Sequence, residues 1–129
     1  AKLSVNGIDV EVSGYTENDS NYYKIRDIAM VHRTTNARLD VAWDENLSAI
    51  AISTGVKYTR VGGELNCDHS AALNVDQNTA PVYVDGEEKE VLSYNINGNT
   101  YFKIRDIADM VGFDVDWDGD TQTVVIRTN

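Results

Sequence analysis

Cysteine, proline and histidine are scarce in this chain, and long apolar runs are missing from it. The single cysteine, Cys67, excludes an internal disulfide framework and a zinc cluster of thiolates, and it leaves the redox compartment open. No apolar run approaches the roughly 18 residues of a membrane span, and nothing at the start resembles a signal peptide. Because the chain opens on Ala1, we expect any targeting signal to lie outside it.

Positive charge is scarce in the second half of the chain. Residues 81–129 carry ten acidic and four basic side chains, whereas residues 1–60 carry eight and seven, and the formal net charge is −10. A surface of this kind repels phosphate backbones, so we do not expect nucleic acid as a partner. The acidity is compatible with solubility or with divalent cations.

The chain contains a near copy of one of its own segments. Residues 101–108 have the sequence YFKIRDIA, and residues 22–29, 79 positions upstream, have the sequence YYKIRDIA. Residues 114–118 match residues 40–44 at a spacing of 74, so the first copy carries five extra residues. A period this long in two copies indicates duplication of a small domain and not a solenoid.

The duplication predicts the domain organisation. We predict a first repeat over residues 1–60, a linker over 61–80 and a second repeat over 81–129. Units of about 50 residues are marginal alone. Each repeat is therefore expected to need its neighbour or the joining segment to complete its core.

Turn signals and apolar spacing predict the same elements in both repeats. Asn6-Gly7 and Asp85-Gly86 favour tight hairpin turns between alternating segments. Ile104, Ile107, Ala108 and Val111 form the apolar stripe of a short helix, which Gly112 ends. Because one apolar helix face must be covered, we predict an α+β fold with two βββαββ repeats, each a curved antiparallel sheet wrapped around one short helix.

The motifs also resemble a known family. Residues 101–108 are followed by GFDVDWD at 112–118, a weaker copy of both lies in the first repeat, and VGGEL at 61–65 lies between them. This arrangement resembles the family named for the N-terminal domain of copper amine oxidases, a stalk-like module found in tandem on secreted and cell-surface proteins of bacteria. The first repeat departs from the pattern by its insertion and by His32, where the second has Val111.

The resemblance implies a non-catalytic appendage, since in that family the copper and the oxidising cofactor belong to a separate domain. The residues agree with this, because a mononuclear copper site favours several imidazoles and only His32 and His69 exist. We expect no copper. Cys67 and His69 lie one residue apart in the linker and do not make a closed metal site.

The acidic segment Asp114, Asp116, Asp118 and Asp120 is a candidate calcium site. Its carboxylates and Gly119 match the first positions of an EF-hand loop, but Val125 stands where the loop needs a bidentate glutamate. The alternative is a strand with its aspartates in solvent and with Val115 and Trp117 pointing inward. We favour the strand.

Aromatic residues are candidates for stacking on sugars. We expect Trp43 and Trp117 to pack in the core, given their inward register. Tyr22 and Tyr101 are expected to be exposed, because their neighbours Tyr23 and Phe102 take the inward positions. Tyr22, Tyr101 and Tyr58 are therefore the candidate ligand contacts.

A charged set recurs in both repeats, namely Arg26, Asp27 and Asp44 in the first and Arg105, Asp106 and Asp118 in the second. Paired carboxylates serve acid and base catalysis in hydrolases. We favour an Arg–carboxylate bridge that ties the helix start to the hairpin.

The sequence as a whole predicts a module that is not an enzyme. We expect an extracellular or surface-attached bacterial module that spaces or docks a partner domain. The alternative is a module that binds cell-wall glycan, with calcium as a possible aid.

Overall fold

The computed structural model describes residues 2–12, 14–17, 20–60, 75–96 and 99–128. It is an α+β fold, mostly strands, with one short helix in each half. The first half contains β1 (Lys2–Val5), β2 (Ile8–Val10), β3 (Gly14–Glu17), β4 (Ser20–Lys24), α1 (Ile25–His32), β5 (Leu39–Asp44) and β6 (Ala49–Thr54). A short strand, β7 (Val75–Gln77), follows within the predicted linker. The second half contains β8 (Val82–Val84), β9 (Glu87–Lys89), β10 (Ser93–Ile96), β11 (Asn99–Lys103), α2 (Ile104–Val111), β12 (Asp114–Asp118) and β13 (Thr123–Arg127).

Each half has four strands before its helix, where three were predicted. The additional strand of the second half, β9, consists of Glu87, Glu88 and Lys89, which are all exposed. Such a strand lies at the edge of a sheet and has no buried face, so its sequence shows no apolar alternation.

The three sheets combine strands from both halves, and this differs from the expected single antiparallel sheet per repeat. One sheet has the order β12-β13-β1-β2, with β1 parallel to β13. Another has the order β5-β6-β8-β9, with β6 parallel to β8. The central sheet has the order β3-β4-β11-β10-β7, and β4 and β11 pair antiparallel at its middle. The first hairpin of each half therefore forms part of a sheet with the last hairpin of the other half.

The β1–β2 and β8–β9 hairpins have the turns that the sequence predicts. Asn6 and Gly7 have φ of 52° and 83°, and Asp85 and Gly86 have the same two values. Positive φ at both central residues is the requirement of a type I′ turn.

Matching hydrogen bonds hold these turns to the opposite half. The amide of Asn6 donates to the carbonyl of Ile126 at 2.9 Å, and that of Asp85 donates to the carbonyl of Ile52 at 2.9 Å. The Asn6 side chain exchanges bonds with the Thr128 amide and hydroxyl at 2.9 and 2.8 Å. The carboxylate of Asp85 accepts from the amide and hydroxyl of Thr54 at 2.8 and 2.6 Å. These two bonds to Thr54 lower the pKa of Asp85.

One buried core runs through both halves. It lies between the two helices, the inner face of the central sheet and the two outer sheets, and includes Leu3, Ile28, Leu39, Phe102, Ile107 and Ile126. Fully burying one such side chain contributes about 1.5–3 kcal/mol. Tyr23 belongs to the same core, and burial raises its pKa to about 12.

The helix ends differ because of the insertion in the first half. Gly112 closes α2 in the left-handed conformation, with φ of 92°, whereas Arg33 closes α1 in the right-handed helical conformation. His32 is buried, its Nδ1 donates to the carbonyl of Ala37 at 3.1 Å, and its ring lies 4.8 Å from that of Phe113. Burial lowers the pKa of His32 against the opposing effect of that bond.

Candidate functional site

Two clefts lie at matching positions of the two halves. Each is formed where the start of a helix and the following hairpin of one half meet a central strand of the other half. We name them after their tryptophans, the Trp117 cleft and the Trp43 cleft.

The Trp117 cleft has a volume of about 390 Å³. Its apolar wall comes from the β12–β13 hairpin, with Val115, Trp117 and Val124. Its polar wall comes from Ser20 and Asn21 at the start of β4, and from Lys103 and Arg105 at the junction of β11 and α2.

The Trp43 cleft is smaller, with a volume of about 180 Å³. Each of its residues stands at the position that matches one in the other cleft: Asn99, Thr100, Lys24, Arg26, Val41, Trp43 and Ile50, together with Ile25 and Ala42. The two clefts are therefore lined at corresponding positions of the two halves but differ in size.

Trp43 and Trp117 are each 51% exposed, which corrects the prediction that they pack in the core. The register itself is the one predicted, since Trp117 is paired with the buried Val124 and Trp43 with the buried Ile50. However, β12 and β5 are edge strands, and both tryptophans stand where the core face ends and the cleft begins.

The tyrosines show the opposite error. Tyr22 and Tyr101 are only 4% and 7% exposed, so the prediction that they are exposed is wrong. Tyr58 is also buried, at 4%, and ligand contact by these three tyrosines stays a prediction that their burial does not support. Tyr22 packs with Tyr15 and Tyr94 on the outer face of the central sheet, its ring centroid 5.2 Å from that of Tyr94. Aromatic side chains of the central sheet pack over its outer face, so Tyr22 is buried although it points away from the main core.

The two arginines tie helix to hairpin, but through a carbonyl and not a carboxylate. Arg26 donates to the carbonyl of Val41 at 3.1 Å, and Arg105 donates to that of Val115, the matching residue, at 3.5 Å. Arg26 also donates to the Tyr58 hydroxyl at 3.3 Å.

The carboxylates expected to bridge to these arginines hold their own hairpin turns. Asp44 accepts from the amides of Asn46 and Leu47 at 2.9 and 3.2 Å. Asp118 accepts from the amides of Asp120 and Thr121 at 3.0 and 3.4 Å. Both carboxylates are therefore structural.

The candidate calcium residues lie on the other side of Trp117. Asp116, Asp118 and Asp120 line a shallow depression together with Arg127, which forms an ion pair with Asp116, and Asp114 lies outside it. Within the part of the chain that the structure describes, no three carboxylates, imidazoles or thiols come together as a metal would require. The calcium site remains a prediction that this geometry does not support.

A family model matches the chain over residues 4–126, and its description is copper amine oxidase N-terminal domain. The chain belongs to the copper amine oxidase N-terminal domain family. Nothing among curated proteins or solved structures matches the chain.

The N-terminal domain of copper amine oxidases is a non-catalytic domain, so membership of this family suggests an accessory domain here. Of the two histidines, His32 is buried and bonded to a backbone carbonyl, while His69 and Cys67 lie outside the described residues. No helix in the described ranges is long and apolar enough to cross a membrane.

Sequence reasoning missed the polar wall of the Trp117 cleft. Asn21 and Arg105 come from opposite halves, and only the exchange of strands between the halves brings them together. The recurrence of a tryptophan in the same place of both hairpins was the available signal, but alternation alone assigned it to the core.

Proposed function

We propose that this accessory domain is an extracellular or cell-surface bacterial module that spaces or docks an attached partner domain. The observation that carries the proposal is the parallel pairing of β1 with β13, the first and last strands of the described chain. A spacer has to transmit position, and sometimes force, between the segments attached to its two ends.

The parallel pair sets the direction in which the chain passes through the domain. Lys2 lies opposite Thr123 and Val5 lies opposite Ile126, so the chain enters at one end of the strand pair and leaves at the other. Tension between the flanking segments then acts along the strands in opposite senses. All hydrogen bonds between the two strands share this load, whereas a load applied at one end would open them one at a time.

Force spectroscopy on single molecules, with handles attached at the two ends of the chain, tests the spacer function. We expect a high unfolding force that falls in Thr128→Val, which removes the hydroxyl that accepts from Asn6 beside the loaded pair. Thr54→Val is the matched control, since it removes the equivalent bond to Asp85 beside the unloaded pair of β6 and β8. Equal loss of force in both variants would contradict the assignment of the load to β1 and β13.

Glycan binding is the second candidate function, because two half-exposed tryptophans stand beside clefts. The flat indole ring offers an apolar face for stacking and a polar N–H. Co-sedimentation with bacterial cell walls, in calcium and in chelator, tests it. We expect saturable pelleting that Trp43→Ala combined with Trp117→Ala abolishes, and absence of pelleting in both buffers would leave the spacer alone.

A further inference from the structure

We propose that the Trp117 cleft binds a saccharide that carries a carboxylate, and that the Trp43 cleft does not. The inference rests on the second candidate function and assigns it to one cleft and one ligand class. Three differences between the matching clefts support it: size, availability of the arginine, and local charge.

Size separates the two clefts. Ligand pockets of proteins typically occupy about 300–1,000 Å³. The Trp117 cleft, at about 390 Å³, falls within this range, and the Trp43 cleft, at about 180 Å³, falls below it. The Trp117 cleft therefore has the volume of a typical ligand pocket, and the Trp43 cleft does not.

The arginines differ in how they are engaged. Arg26 is half-buried and donates to both Val41 and Tyr58. Arg105 is exposed, and its bond to Val115 is long, at 3.5 Å. A guanidinium has five N–H donors in a planar fork that matches a carboxylate in two-point geometry. Arg105 therefore retains the donors that such a contact requires.

The other charged side chains also differ between the two clefts. Asp116 also lines the cleft, but its carboxylate forms an ion pair with Arg127. Lys103 lines the cleft as well and is half-buried. In the other cleft Lys24 is buried and forms an ion pair with Asp27 at 3.8 Å. Of the two cations that line the Trp117 cleft among the described residues, Arg105 is the exposed one, and it is therefore the better placed to meet an anionic group.

The uncharged polar groups of the Trp117 cleft suit the rest of a sugar. Ser20 and Asn21 line the same cleft as Trp117 and carry a hydroxyl and an amide group. Such groups both donate and accept, as sugar hydroxyls do.

The chain allows each cleft to be observed separately, because it contains two tryptophans. Trp43→Phe leaves Trp117 as the fluorophore, and Trp117→Phe leaves Trp43. We would titrate both proteins with tetragalacturonate and with its methyl ester, which keeps the sugar rings and removes the charges. The expected result is a saturable change of Trp117 fluorescence with the acid, a much weaker change with the ester, and no change of Trp43 fluorescence.

Arginine variants of the protein that retains Trp117 test the charge contact. Arg105→Gln should raise the Kd about tenfold or more, as expected for loss of a charge-assisted hydrogen bond. Arg26→Gln is the matched control and should leave the Kd unchanged. Equal affinity for acid and ester, or an unchanged Kd in Arg105→Gln, would overturn the acidic ligand while glycan binding stands. Equal responses of both tryptophans would overturn the preference for one cleft. No response of Trp117 to either sugar would overturn the inference, and wall co-sedimentation would then decide the second candidate function separately.

Discussion

Replacing Leu3 by alanine tests whether the two halves form one structure. Leu3 lies in β1, is 1% exposed, and contributes to a sheet whose strands β12 and β13 belong to the second half. A buried Leu→Ala change typically costs about 2–5 kcal/mol, because it loses the transfer free energy and leaves a cavity. β1 pairs on both sides and has little freedom to collapse onto the cavity, so we expect about 3 kcal/mol here.

Urea unfolding of the single-tryptophan variants measures this loss in each half. With a slope of about 1–3 kcal/mol per molar urea, the loss corresponds to a midpoint lower by roughly 1–3 M. We expect the same decrease whether Trp43 or Trp117 reports, because one core joins both halves. The control is Val82→Ala, at the matching position in β8, which pairs with β6 of the first half. It should cost about 2 kcal/mol and should again lower the midpoints reported by both tryptophans equally.

Separate transitions would refute this reasoning. If the halves were independent units, Leu3→Ala would lower the midpoint reported by Trp43, in its own half, and leave that of Trp117 unchanged. If only the urea midpoint reported by Trp117 decreased, Leu3 would stabilise the sheet of the second half, and the two halves would not share one core.

The remaining predictions concern single groups. Burial lowers the pKa of His32 below its ordinary 6.5, so the unfolded chain binds the additional proton first as pH falls. The free energy of unfolding should therefore be constant above about pH 6.5 and decrease below it. Urea titrations at a series of pH values should show that His32→Val removes this decrease. Asp85 has a pKa lowered below 3.8, so its contribution is present above that pH and is lost as pH falls through the lowered value; Asp85→Asn, which reproduces the bonding of Asn6, should remove this acid sensitivity in thermal melts at low pH. Gly112→Ala should lower the free energy of unfolding by about 1–2 kcal/mol because φ is 92°, whereas Arg33→Ala, at a helix end in the right-handed conformation, should change it by less than about 0.5 kcal/mol.

Local sequence predicted the local structure well. Asn6-Gly7 and Asp85-Gly86 form the predicted hairpin turns, and Gly112 ends α2 as predicted, because each of these positions needs a positive φ that few residues adopt. The α+β class is also confirmed. These features depend on neighbours in the chain, which the sequence displays directly.

Turn residues and apolar alternation could not predict which strands pair. Alternation places Leu3 on a buried face but does not say which strand lies beside it, and here that strand is β13. The same limit explains the errors in the candidate site. Alternation correctly placed Tyr22 and Tyr23 on opposite faces of the central sheet, but it did not show that aromatic rings cover the face with Tyr22. It also placed Trp117 on the core face, but it did not show that the core ends at that position.

The exchanged hairpins also fix when this protein can fold during its synthesis. Asn6 and its partner Thr128 are 122 positions apart, and β1 has no neighbour on that side until β13 has been made. At roughly 5–20 residues per second, the ribosome needs about 6–24 s to supply it. During that interval Leu3 and Val5 lack the strand that buries them. Completion of the β12-β13-β1-β2 sheet therefore follows translation of β13, and in a nascent chain stopped before residue 123 the β1–β2 hairpin should remain sensitive to protease.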